Sequence, residues 1–321
     1  MKKQKSISKT FAKYPQLATL IGFVAIIIIF SVTTNTFFTA ENFTNIINQT
    51  ATIAIVAFGM TMVLLTAGID LSVGGIAAIV CVVCAILFTK GLPAVAIVAI
   101  GMVLGAAIGC VNGLIISFFR IQPFLVTMGM VNITRGFAKY ITNGQSVFIS
   151  ADKFRNILSQ GKLFGLPVLF YWILLALIVT FVIVNCTTFG RRIQAVGGNE
   201  EAAFFSGVKV NRVKVIVYTL SGFFAACTGI ITLSRLSSGL PTVAQSIEMD
   251  AIAAAVLGGT GFNGEGGNML GTMLGALVIG TIVNGLTVMG VDSYLQDVVK
   301  GIIIIVCVIM SSKLTSINNV D

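Results

Sequence analysis

Leu104–Leu114 reads LGAAIGCVNGL, and Leu274–Leu286 reads LGALVIGTIVNGL. Both open on L-G-A and close on V-N-G-L, with two extra residues between them in the second copy. Each copy carries glycine at every fourth position: Gly101, Gly105, Gly109 and Gly113 in one, Gly267, Gly271 and Gly275 in the other. At that spacing the glycines share one face of a helix. In lipid, where packing replaces the hydrophobic drive, such a face lets two backbones approach closely. The copies lie in the fourth and ninth of ten apolar runs. Runs five apart cross a membrane in opposite directions, so the repeat is inverted, an arrangement typical of transporters with the pathway between the halves.

The ten runs fall at about 17–33, 46–67, 70–89, 92–118, 123–141, 166–185, 213–233, 247–260, 268–288 and 295–312. Hydrophobic residues make up 56% of the 321, charged residues 10%, and mean hydropathy is +1.02. A soluble domain carries about 25% charged residues. The fold class is therefore an all-α integral membrane protein of about ten transmembrane helices, built as two inverted five-span repeats. Residues 1–16 form a basic tail, 17–312 a single transmembrane domain with a long charged loop at 186–214, and 313–321 a second tail. Pro93, Pro123 and Pro167 stand at the starts of runs, Pro15 precedes one and Pro241 lies in a loop, so no proline breaks a span interior.

A net charge of +9 invites comparison with nucleic-acid binding, but the basic residues cluster in loops of alternating sides. With the N-terminus inside, the inner segments hold Lys2, Lys3, Lys5, Lys9, Lys13, Arg120, Arg191, Arg192, Lys209, Arg212, Lys214 and Lys313. The outer ones hold Lys90, Lys153, Arg155, Lys162 and Arg235. This excess of inner bases is the positive-inside pattern and places both termini in the cytoplasm. The run after the basic tail is long and no A-x-A-like site follows, so it reads as an uncleaved first span rather than a secretory signal.

The charged loop, CTTFGRRIQAVGGNEEAAFFSGVKVNRVK, is then cytoplasmic. Inside it lies a short helix with signals at both ends. Asn199 is placed to cap its N-terminus. Glu200 and Glu201 sit in the first turn, where the helix dipole favours negative charge, and Gly207 supplies a left-handed stop. Ala202, Ala203, Phe204, Phe205 and Ser206 fill the middle, small then aromatic. Such a helix either docks into a groove on a partner or lies on lipid headgroups.

Polar residues inside the apolar runs are the other candidates, because ionisable groups at membrane depth are expensive and often functional. Asp70 stands in AGIDLSVG, between glycines. It caps the third run by bonding the backbone N–H of Ser72 or Val73, or it serves as a polar group at a gate or path. Asn112 and Asn284 hold matched places in the two repeats, as interhelical bonds or as the lining of a path for a neutral solute. Asp250 joins them as a candidate for the path. Asp297 and Lys300 share a helix face and can pair, while Arg135 and Lys139 are expected to snorkel near the outer end of the fifth run.

The chain has no His, which removes imidazole bases, Ser–His nucleophile pairs and His metal ligands. Cys81 and Cys84 form a C-x-x-C without a second pair, so no metal and no cofactor are expected. Gly259 and Gly264 in LGGTGFNGEGG have phosphate-loop spacing, but Glu265 stands where the lysine must be and Gly266 where a hydroxyl must be. The stretch reads as a tightly packed turn, and the chain as one that does not hydrolyse ATP itself. It shows no series of acidic residues suited to a proton relay and no arginine ladder. Those features point to a neutral substrate moved by an external motor.

The segments GMTMVLLTAGIDLSVGG at 59–75, FGRRIQAVGGNEEAAFFSGVKV at 189–210, LSGFFAACTGIITLSRLSS at 220–238 and EMDAIAAAVLGGTGFNGEGG at 248–267 carry a resemblance. Together with the repeat they resemble, over about residues 40–310, the permease subunits of bacterial monosaccharide ABC importers, most closely the ribose type. The resemblance implies a transport subunit in the inner membrane rather than an enzyme, moving ribose or a similar pentose or hexose by alternating access. It implies a second permease copy, a separate ATPase subunit with two nucleotide-binding cassettes, and a periplasmic or lipoprotein sugar-binding protein. It also implies that Asn199–Gly207 is the coupling helix entering a groove on the ATPase. An ion-coupled secondary transporter with inverted repeats stands as the alternative, and a membrane enzyme as a third class.

Overall fold

The computed structural model of the protein describes residues 15–150 and 152–318, so the five lysines of the N-terminal tail and residues 319–321 lie outside the described residues. Each of the ten apolar runs is helical. In chain order the helices are α1 (Pro15–Thr33), α2 (Ala40–Leu64), α3 (Val73–Thr89), α4 (Ala94–Phe119), α5 (Pro123–Thr142) and the single turn α6 (Asp152–Arg155). Then come α7 (Val168–Phe181), extended by a π-helical turn to Cys186, α8 (Thr188–Gly198) and α9 (Glu200–Phe205). The last four are α10 (Val210–Leu236), α11 (Ile247–Leu257), α12 (Met269–Val288) and α13 (Ser293–Asn318). Among them α2, α4, α7 with its π turn, α10 and α12 are long and apolar enough to cross a membrane. The protein is a helical, multi-pass membrane protein.

Local chemistry sets the boundaries. Thr39 caps α2 by accepting from the Asn42 N–H at 3.2 Å, and Asn268 caps α12 by accepting from the Leu270 N–H at 3.0 Å. Pro93 and Pro167 immediately precede α4 and α7, and Pro123 opens α5, where its missing N–H has no intrahelical partner to lose. Arg120, Asn143 and Ser237 end α4, α5 and α10 in the left-handed region.

Helix α2 is the centre of the bundle. Phe58, Met60, Met62 and Leu64 are all fully buried, so every face of its second half is covered, as expected of a helix that is apolar all round. Helices α7, α10, α11 and α12 surround it. The glycine stripes pack two different pairs. On α4, a Cβ at Gly105, Gly109 or Gly113 would collide with Gly222 and Ala226, Tyr218, or Val215 of α10. Gly101 fits against Cys84 and Ile230. On α12, Gly271 and Gly275 lie against the backbone of Gly258 and Ala254 at the end of α11.

Two faces of the bundle differ. One carries α8, α9, the start of the α2–α3 loop and the glycine-rich loop 258–268. There a Cβ at Gly197 would strike the Leu65 carbonyl, and one at Gly264 the Gly197 backbone. The opposite face carries the strand pair β1 (Val147–Phe148) with β4 (Ser238–Gly239), and a small hairpin of β2 (Lys162–Leu163) with β3 (Leu166–Pro167).

The eighth run departs from expectation. Helix α11 has 11 residues, about 16 Å at 1.5 Å per residue, roughly half of a hydrocarbon core about 30 Å thick. Residues 237–246 replace the missing half as non-helical chain, with Ser237, Ala244 and Ser246 in the left-handed region.

Candidate functional site

The charged loop folds as two helices rather than one. Thr187 caps α8 by accepting from the Gly190 N–H at 3.2 Å. Asn199 ends α8 and caps α9, its Oδ1 accepting from the Ala202 N–H at 2.8 Å. Glu200 and Glu201 occupy the first turn of α9. Gly207, at φ 83°, closes it, with its N–H on the Phe204 carbonyl at 2.9 Å and the Val208 N–H on the Ala203 carbonyl at 3.0 Å. Both signals read from the sequence operate where they were placed. Ala203 points inward and is buried, whereas Phe204 and Phe205 are 64% and 80% exposed, with their rings edge to face 5.8 Å apart. Ser206 and Glu201 are exposed beside them.

Lys214 of α10 donates to Glu200 Oε2 at 2.6 Å and holds α9 against the bundle. One turn further along α10, the Tyr218 hydroxyl reaches the Ile69 carbonyl at 3.5 Å, and Ser221 donates to Asp70 Oδ2 at 2.7 Å. Lys214, Tyr218 and Ser221 lie on one face at i, i+4 and i+7. A cleft of about 500 Å³ runs along this face, lined by residues 66–68, Pro123, residues 196–201, Lys214 and Tyr218.

Asp70 is fully buried. Its Oδ1 accepts from the Ser72 N–H at 3.0 Å and from the Ser72 hydroxyl at 2.5 Å. Asn112 of α4 donates to the Ser72 hydroxyl at 2.8 Å. The carboxylate thus holds the turn that starts α3 and also ties that turn to α4 and α10. Asn284 is buried in α12, but it makes no bond across helices: its Oδ1 has no partner among the described residues. The matched positions of the two repeats therefore differ in role.

Asp250 sits in the first turn of α11, buried, 3.5 Å from Lys300 of α13. Lys300 also meets Asp297 at 3.3 Å, the pairing expected from their spacing. Arg135 does not snorkel. It turns inward from α5 and donates to the carbonyls of Val243 and Ala244 at 3.2 and 2.9 Å. It does so because those carbonyls belong to non-helical chain and need a donor where water is scarce. Lys139, one turn on, is exposed as expected. Glu248 was missed by sequence reasoning. Its carboxylate, the Ala244 carbonyl and the Arg135 guanidinium converge on Gly74, the second residue of α3, where a side chain would strike all three. The signal was present in the apolar eighth run, whose first turn holds two acids. Among the described residues no cluster of three His, Cys, Asp or Glu comes together to hold a metal ion.

Comparison with known proteins returns transport permeases. Residues 42–308 match the family described as branched-chain amino acid transport system / permease component. The chain is 40% identical over 299 residues to the ribose import permease of Bacillus subtilis, covering 93% of each chain. It is 41% identical to the ribose import permease of Escherichia coli K12, over 92% of each. It is 35% identical to the galactose/methyl galactoside import permease of Escherichia coli K12, over 86% of this chain and 88% of that one.

Proposed function

The chain belongs to the branched-chain amino acid transport system / permease component family, and from that premise we propose that it is the membrane permease of an ATP-driven importer for a neutral monosaccharide, ribose or a similar pentose or hexose. The observation that carries the sugar is the 40% identity with a ribose import permease along 93% of both chains. Relatives described for galactose and for D-allose widen the class to hexoses.

In this reading two permease copies enclose the path, a separate ATPase subunit with two nucleotide-binding cassettes drives them, and an external binding protein delivers the sugar. The N- and C-termini and α9 face the cytoplasm, a placement supported by the distribution of basic residues. Helix α9 is the coupling helix. Phe204 and Phe205 enter a groove on the ATPase, with Glu201 and Ser206 at its rim, while Asn199, Ala202, Ala203 and Gly207 hold the helix in shape. ATP-driven closure of the motor moves α9, and the Lys214–Tyr218–Ser221 face of α10 carries that movement to the Asp70 turn. Asp70, Asn112, Asp250 and Asn284 act as buried polar joints of the gate.

The inverted arrangement is supported by the two interrupted runs. The turn before α3 enters the bundle from the α9 face, and residues 237–246 enter from the opposite face. They meet at Gly74. Broken segments at corresponding places in two halves are a mark of inverted-repeat transporters.

The deciding experiment is ATP hydrolysis by the permease reconstituted with its ATPase and binding protein, across a panel of pentoses and hexoses. Stimulation by one sugar at the lowest concentration supports the reading. Uptake that collapses on adding an uncoupler while ATP is held constant refutes it in favour of an ion-coupled transporter.

A further inference from the structure

Residues 240–246 present a surface that lipid does not tolerate. Thr242, Gln245 and Ser246 are exposed, and the backbone N–H groups of Thr242, Ala244, Gln245 and Ser246 donate to no protein acceptor among the described residues. Two independent contacts fix the depth. Arg135, which holds Val243 and Ala244, lies seven residues before the end of α5. Lys300, which holds Asp250, lies seven residues after the start of α13. Both ends are on the β1–β4 face, so the exposed loop hangs about 10 Å inside the helical layer.

Non-helical backbone at such depth persists only where protein covers it or where it lines a water-filled cavity. Helix α5 shows on which side the water lies. Its face toward α3 buries Thr127, Thr134 and Ala138. Asn132, Arg135 and Lys139, at i, i+3 and i+7, form a polar stripe beside the loop. On another side Ile133 and Phe137 are 52% and 59% exposed, an apolar face suited to lipid. The polar stripe and the loop are continuous through the Arg135 bonds.

Resting on the importer reading above, we propose that Asn132, Arg135, Thr242, Gln245 and Ser246 form the wall of a water-filled conduit and contact a neutral polyhydroxylated solute during passage. The chemistry matches that class. The wall offers amides, hydroxyls and free backbone N–H groups, donors and acceptors together. Of the two cations on the stripe, Arg135 is committed to two carbonyls of the loop and faces the Glu248 carboxylate across Gly74, while Lys139 stands a turn nearer the end of α5 and outside the wall, so within the wall neither an anion nor a cation is favoured. This wall is distinct from Asp70, Asn112, Asn284 and Asp250, all of which are buried within the chain.

The test is thiol accessibility in the assembled complex, with native cysteines replaced by alanine or serine. Gln245→Cys, Ser246→Cys and Asn132→Cys are compared with Phe137→Cys as the lipid-facing control, using a membrane-impermeant cationic methanethiosulfonate. None of the three wall side chains is buried, and size-exclusion chromatography verifies assembly. Expected is modification about tenfold faster than at Phe137→Cys, because only the wall meets water, and slowed by ribose. Wall thiols as inert as the control overturn the conduit. Fast modification unaffected by any pentose or hexose overturns the solute contact. The same cysteine-free complex is assayed for uptake: loss of ATP dependence there faults the importer reading, whereas inert thiols with ATP-driven uptake intact fault only the wall.

Discussion

Asp70 accepts three hydrogen bonds and forms no ion pair among the described residues. Asparagine retains one oxygen for the Ser72 groups and offers an amide that the Ser221 hydroxyl accepts by rotating. Asp70→Asn is therefore expected to fold and assemble with a loss of about 1 kcal/mol or less, while Asp70→Ala leaves buried donors unmet and costs about 2–4 kcal/mol. Thermal unfolding of the purified complex measures both. Complete loss of transport by a stably assembled Asp70→Asn complex would show the carboxylate itself to be the gate. The local half of this arrangement was legible in the sequence, because an aspartate two residues before a serine bonds its own turn. The long-range half was not: Ser72 is 40 residues from Asn112, and Asp70 is 151 from Ser221. Local spacing does not reveal which distant hydroxyl arrives. Arg135 was misjudged for the same reason, since its acceptors lie 108 and 109 residues away.

At the level of elements, the fit between α4 and α10 is set by glycine. A methyl at Gly109 has no room against the Tyr218 carbonyl, so Gly109→Ala should cost about 1–3 kcal/mol by overpacking. Gly129, with nothing near its Cβ position, should tolerate alanine without loss, and denaturation of the two variants side by side checks the contrast. Lys300→Met removes the partner of buried Asp250, and breaking a buried pair costs about 3–5 kcal/mol. Adding Asp250→Leu should recover most of that loss, which the same denaturation measurement reads. The fourfold glycine spacing made these seams legible as close packing, but not their partners. Two copies of one motif pack on different neighbours, α10 for one and α11 for the other. The shortness of α11 was legible, because the eighth run spans only about residues 247–260 between SSGLPTVAQS and GGTGFNGEGG; that residues 237–246 complete the layer as non-helical chain was not.

Across the whole molecule, the cleft beside α9 and the buried Asp70 turn both border the first half of α10, where Lys214, Tyr218 and Ser221 stand, so the proposed coupling has a short path from one to the other. Glu200→Gln removes an ion pair whose carboxylate is 56% exposed; exposed pairs contribute little stability, so the fold is expected to stand while sugar-stimulated ATP hydrolysis falls. A fall in stability without a change in stimulated hydrolysis would locate the coupling elsewhere. The ten helical runs were legible because apolar composition alone dictates them, and so was α9, whose cap and stop are local. Their assembly around α2 rests on contacts between distant segments.

The paired rings at Phe204 and Phe205 have one more consequence, for the life of the subunit before it finds its motor. An orphan copy would display two greasy rings on a short stalk, the kind of feature that chaperones and proteases grip. Synthesis in excess of the ATPase should then be cleared quickly, and pulse-chase turnover should slow when both phenylalanines become serine.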